Sequence, residues 1–375
     1  MATDFEAEGL LGGLDGDARE GRRRLLEQLE TEGVPLDNLR DAVATGRLAL
    51  LPLESELLPV GEGYTLDQAA EQAGLEREFL TKLMRALGLP LPEGDDPALT
   101  EADIDAARLV ADFRRAGIPD EPLLEATRVL GHSLAQFVMA TRAVLGEAFF
   151  EPGDTEHEVA TRWAAVAREM NPTLERLVMY VLRAHQVAQL RQDVFDLAGL
   201  TAGANATKVS IAFADLAGFT RLGEQVAAGR LGAIAGRLTA MVTDTVTRPV
   251  RLVKMIGDAA MLASTEPRPL LRAALDLVAA ADAEGEDFPQ LRAGIACGEA
   301  LGRAGDWFGR PVNLASRITD RARPGSIVVT AEFREAVGDD GFAWRRLPAG
   351  RRFKGISEDI ELYRARYPEP GEPPR

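Results

Sequence analysis

Cysteine and histidine are nearly absent from this chain. Its 375 residues include one cysteine, Cys297, which excludes an internal disulfide and fits a reducing compartment. With three histidines, no Cys-x-x-Cys pair and no His-Glu-x-x-His, the commonest zinc chemistries have no ligands. No Walker-type loop ending in Gly-Lys-Ser/Thr is present, which removes the commonest phosphate cradle. No apolar run approaches the ~18 to 20 residues that span a bilayer. The opening MATDFEAEGL carries acids where a secretory leader carries basic and apolar residues, so a cytoplasmic location and no membrane span are expected. Basic residues are also in deficit, 43 against 59 acidic, for a net charge of −16. Such a surface repels nucleic acid and anionic lipid.

What is present divides into two textures, as the length predicts. Residues 1–196 read as an all-helical domain. Apolar residues recur at helical spacing in 39–51, 65–89 and 101–118, punctuated by Gly74, Gly88, Gly117 and the Pro90/Pro92 pair. A further helix is expected from Pro172, at its first position after Asn171, to Leu197. The small-residue stretch GLTAGANAT lies within the expected linker, 197–207.

From residue 208 to 375, strands and helices alternate. Strands are expected at 208–216, 248–256, 259–264, 291–298 and 326–330, with helices at 229–246, 269–282 and 312–322. Gly257-Asp258 marks a hairpin. The β-α-β-β-α-β order predicts an α+β fold: a ferredoxin-like sheet with helices on one face, preceded by the all-α domain.

Four stretches of this second half place polar groups where a plain fold has no need of them. In FADLAGFT, Asp215 closes an apolar strand. In VKMIGDAAMLAS, Lys254 and Asp258 interrupt an apolar hairpin. In GDWFGRPVNLASR, Asp306 stands near a turn, and Asn313 and Arg317 lie four apart on one helix face. In RRFKGIS, Lys354 precedes a glycine. Taken singly, each fits a turn residue or a solvated face.

Together, over about residues 205–364, they resemble the class III nucleotidyl cyclases in order and spacing. The resemblance implies cyclisation of ATP to cyclic AMP, with Asp215 and Asp258 as ligands of two Mg²⁺ or Mn²⁺ ions. It implies that Lys254 and Asp306 read adenine, where guanylate-type members usually carry glutamate and a small polar residue or cysteine. Asn313 and Arg317 match the transition-state residues, and Lys354 the residue that binds the terminal phosphates. It further implies a head-to-tail homodimer whose two active sites are shared, so that Lys254 and Asp258 serve opposite sites. Guanylate cyclase activity and an inactive nucleotide-binding scaffold are the alternatives.

The first half resembles the regulatory domain of certain actinobacterial cyclases, which implies control by pH or by a small-molecule or lipid effector. All three histidines, His132, His157 and His185, precede the linker, and histidine titrates in the physiological range. His185, on the long helix leading to the linker, is the foremost candidate. The apolar stretches 48–60 and 142–150 read either as core or as the lining of an acyl pocket. The segment 65–90 also reads as a helix-turn-helix. Acidic residues outnumber basic ones around it, which argues against a nucleic-acid partner.

Overall fold

The structure is a computed structural model and describes residues 3–58, 63–149, 153–195, 207–285, 287–348 and 360–369. The chain divides into two compact units, Met1–Leu200 and Thr201–Arg375. Among the described residues, no helix is long and apolar enough to cross a membrane.

The first unit is helical. Helices α1 (Gly16–Thr31), α2 (Leu36–Ala44) and α3 (Leu51–Leu57) are followed by α4 (Leu66–Ala73), α5 (Arg77–Leu87) and α6 (Glu101–Arg115). Two long helices, α7 (Asp120–Phe149) and α8 (Glu156–Phe195), complete it. Their boundaries follow local chemistry. Thr65 and Thr100 each form a capping box, with Gln68 and Asp103, which satisfies backbone donors at the start of α4 and α6. Gly74, at φ +69°, turns the chain between α4 and α5. One apolar cluster joins α4, α5, α6 and the start of α7; another joins α1, α2 and Ala160 of α8.

The expected helix start at Pro172 is not observed. Helix α8 begins at Glu156, where Thr155 N donates to Glu158 Oε2 at 2.8 Å, and Pro172 lies inside it. An internal proline costs about 3 kcal/mol. Forty residues of continuous helix absorb that cost, so the proline does not mark the boundary.

The second unit contains an eight-stranded sheet. In chain order the elements are β1 (Thr207–Leu216), α9 (Phe219–Gly223), α10 (Ala228–Thr245), β2 (Arg251–Ile256), β3 (Ala259–Ser264), α11 (Pro267–Ala283) and β4 (Leu291–Arg303). They continue as β5 (Asp306–Phe308), α12 (Arg310–Arg321), β6 (Ser326–Thr330), α13 (Ala331–Val337), β7 (Ala343–Arg346) and β8 (Leu362–Arg366). The sheet order is β2-β3-β1-β4-β6-β8-β7, with β5 on β4, and the first four strands have the ferredoxin-like arrangement.

Helices cover both faces of this sheet, not one. Ala212, Ala214 and Leu216 of β1 join the cluster built from α10, α11 and α13. Val209, Ile211 and Phe213 point the other way, onto Leu314, Ala315 and Ile318 of α12. The period-two alternation of an all-apolar strand is what a doubly covered strand requires.

Candidate active site

Asp215 lies near the end of β1, paired with Ala259 on one side and Arg292 on the other. The β2–β3 hairpin turns through Gly257, at φ +60°, and Asp258. That turn is tied to β1, because Leu216 N donates to Asp258 O at 3.1 Å. The fold therefore brings the two expected metal ligands together.

Asp215 already has a counter-ion. Arg292 Nε and Nη2 both donate to Asp215 Oδ2, at 2.9 and 2.6 Å, while Nη1 donates to Asp320 O at 2.8 Å. Burial still pushes the Asp215 carboxyl above the ordinary range; Arg292 pulls it down, and the charges of Asp258 and Asp320 push it up. Desolvation is the largest single cause here. Arg292 and Asp320 were not singled out from sequence. The available signal was one charged residue in the otherwise apolar strand LRAGIACG, whose register only the fold supplies.

These two carboxylates fit a hard divalent cation. Their oxygens suit Mg²⁺ or Mn²⁺, and a cation relieves the mutual repulsion that a half-buried pair carries. Among the described residues, no cluster of three or more histidine, cysteine, aspartate or glutamate side chains forms a closed metal cage. Two carboxylates completed by substrate phosphates are the usual provision for Mg²⁺.

Lys254 and Asp306 form a second group. Lys254 Nζ donates to Asp306 Oδ2 across 52 residues of sequence, and Trp307 N donates to Oδ1 at 2.9 Å. Two local irregularities place them. The β2–β3 register shifts between Leu252 and Lys254, and a two-residue turn with positive φ at Ala304 and Gly305 reverses β4 into β5. Beside the pair lies a cavity of about 270 Å³, lined in part by Arg251, Val253, Gly305 and Trp307. Ligand pockets usually hold about 300–1,000 Å³.

Asn313 and Arg317 form the third group, on α12. The helix buries Pro311, Leu314, Ala315, Ile318 and Thr319, leaving Asn313 exposed and Arg317 half-buried. Arg317 Nη1 is enclosed and has no hydrogen-bond partner among the described residues. Lys354 lies outside the described residues.

In the first unit, His132 and His185 are exposed. His157 is half-buried in the first turn of α8, its Nδ1 enclosed without a partner among the described residues. By enclosure, His157 stands apart from the sequence favourite, His185.

Two family models match this chain. Residues 3–193 match the adenylate cyclase regulatory domain, and residues 203–352 match the adenylate and guanylate cyclase catalytic domain. A protein named as a pH-sensitive adenylate cyclase of Mycobacterium tuberculosis is 37% identical over 373 residues, covering 97% of this chain and 93% of the relative. The chain belongs to the class III adenylate cyclases. An adenylate cyclase of Streptomyces coelicolor is 33% identical over 290 residues, covering 76% of this chain and 74% of that one. In the present cyclase, all three polar groups fall within the catalytic match, and all three histidines within the regulatory match.

Proposed function

We propose that this cyclase converts ATP into 3′,5′-cyclic AMP and pyrophosphate by two-metal catalysis, at two equivalent sites shared between the subunits of a homodimer. The observation that carries the choice of ATP is the Lys254–Asp306 hydrogen bond. It holds a donor and an acceptor side by side, the complement of adenine's ring nitrogen and exocyclic amine. A guanine presents the reverse edge and leaves both groups unpaired, which a polar site rejects strongly.

In the reaction the ribose 3′-oxygen attacks the α-phosphorus, and the bond from that phosphorus to the bridging oxygen breaks as pyrophosphate leaves. Asp215 and Asp258 would hold the cations, and Mg²⁺ or Mn²⁺ bound there would make the 3′-hydroxyl more acidic and neutralise phosphate charge. Asn313 orients the ribose, and Arg317 stabilises charge developing on the α-phosphate. Lys354 is assigned to the terminal phosphates on its sequence match alone.

Support for the shared site comes from the surface around Lys254. Edge strand β2 exposes Leu252 and Ile256, and the β4–β5 arm exposes Leu301 and Phe308. Apolar side chains around a polar recognition pair are the anatomy of an interface core. The small cavity fits the same reading, in which a second chain completes the pocket.

The test mixes two inactive full-length variants, Asp215→Asn and Arg317→Ala. In a mixed dimer one site carries both lesions and the other is intact. Random pairing then restores about a quarter of wild-type cyclic AMP formation. No restoration removes the shared-site reading. Cyclic GMP as the main product from equal ATP and GTP removes the adenine assignment.

The helical unit is proposed as the regulator, responding to pH through His132, His157 or His185, or to a small-molecule or lipid effector. The measurement is cyclic AMP formation from pH 5.5 to 8 by the full chain, by fragment 201–375, and by a chain with all three histidines replaced by glutamine. Regulation requires that the fragment lack the response; histidine sensing requires that the triple variant lack it too.

A further inference from the structure

Arg292 makes three hydrogen bonds to two elements. Two fall on one oxygen of Asp215, and the third, from Nη1, falls on the backbone carbonyl of Asp320 in the last turn of α12. Both Asp215 contacts go to Oδ2, and Oδ1 takes neither. The last four carbonyls of a helix have no partner within it, so Arg292 also caps α12. The guanidinium is a rigid planar fork, and two fixed anchors leave it little freedom.

We propose that Arg292 is a positioning residue for the metal site: it holds Asp215 by Oδ2 so that Oδ1 faces the cation, and it fixes that carboxylate to α12. The proposal rests on the reading of Asp215 as a metal ligand. Helix α12 also carries Asn313 and Arg317, so one side chain sets the position of the metal carboxylate against the helix of the transition-state residues. In a dimer with shared sites these belong to opposite active sites, and Arg292 is then a strut between them.

Two physical effects oppose each other when Arg292 is removed. Loss of a positive charge beside the site strengthens cation binding; loss of orientation weakens it. Groups that orient a metal ligand typically contribute 10- to 100-fold in metal affinity. The anchoring at both ends favours orientation as the larger effect.

The experiment titrates full-length wild type, Asp215→Asn, Arg292→Gln and Arg292→Lys with Mn²⁺ alone, reading the free-ion electron paramagnetic resonance signal, with melting temperatures alongside. The expected result is loss of the site in Asp215→Asn and about 10-fold weaker binding in Arg292→Gln. Arg292→Lys falls between, because one amine cannot reach both Asp215 and the Asp320 carbonyl. Binding by Arg292→Gln as tight as, or tighter than, wild type overturns the proposal while Asp215 still stands as a ligand. Should Arg292→Gln fail to fold, wild-type affinity in Arg292→Lys overturns it equally. Undiminished binding by Asp215→Asn, or none by wild type, removes the metal reading and this inference with it.

Discussion

Lys254 and Asp306 are hydrogen-bonded partners although β2 and β5 are not neighbours in the sheet. Both side chains keep contact with solvent, at 42% and 27% exposure. An ion pair so placed contributes about 0–1 kcal/mol to stability. Its cost to the fold is small, as the proposed recognition role requires.

Lys254→Ala and Asp306→Ala are therefore expected to leave the melting temperature nearly unchanged. Each removes a hydrogen bond between a charged group and adenine, worth about 1.5–3 kcal/mol. That corresponds to a loss of about 10- to 150-fold in kcat/KM for ATP. Steady-state kinetics with ATP and GTP, beside a thermal melt, checks both halves. A large stability loss with unchanged nucleotide preference would show the pair to be structural.

Gly294 lets α12 sit directly on β4. A methyl group there lands 2.4 Å from Thr319 N and 2.5 Å from Ala315 O, both backbone atoms. Thr319 Oγ1, which donates to Ala315 O of its own helix at 2.8 Å, also lies 3.2 Å from Phe213 O of β1. Gly294→Ala is expected to destabilise the catalytic unit by about 1–3 kcal/mol, the usual cost of overpacking. It also displaces Asn313 and Arg317, so kcat falls more than KM rises. Chemical denaturation and kinetics on the same preparation test the two effects together.

Ala304 has φ +53°, unlike any other non-glycine residue among those described. It shares a two-residue turn with Gly305, at φ +79°, immediately before Asp306. The left-handed region costs an L-residue about 1–2 kcal/mol, which glycine avoids at some expense in unfolded-state entropy. Ala304→Gly is expected to stabilise the chain by about 1 kcal/mol with kcat/KM for ATP unchanged. Destabilisation would mean that the methyl group makes contacts that offset its strain.

Much of this was legible locally. The strands β1, β3, β4 and β6 show as short apolar runs between turn residues, and Gly257-Asp258 gave the hairpin. Asp215 and Asp258 stood out because carboxylates are costly beside such runs. What stayed hidden depends on distant partners. The side of the sheet taken by α12 is set by how the chain crosses it, and nothing in the sequence of VNLASRITDRA specifies a side. Arg292 reads as an ordinary strand residue until β1 is laid antiparallel to β4, which puts it opposite Asp215. Pro172 misled because a proline marks a helix start only when the preceding residues do not themselves form helix.

Asp215 makes its own contribution to the pH dependence of stability. Burial raises its carboxyl in the folded chain, with Arg292 opposing and Asp258 and Asp320 assisting. The folded state therefore binds this proton more tightly than the unfolded state, whose carboxyl titrates near the ordinary value of about 3.9. The resulting stability is fully present below that unfolded value and is lost as pH rises through the raised folded value. At neutral pH the metal-free fold thus carries a carboxylate it would hold more easily uncharged. Asp215→Asn removes the charge and keeps an oxygen for Arg292. In the presence of a chelator it is expected to melt above wild type at pH 7, with the gap closing toward pH 4. Excess Mn²⁺ should raise the melting temperature of wild type and leave the variant unmoved. If the variant instead melts lower at pH 7, the ion pair with Arg292 outweighs the desolvation of Asp215, and the fold favours the charged form even without a cation.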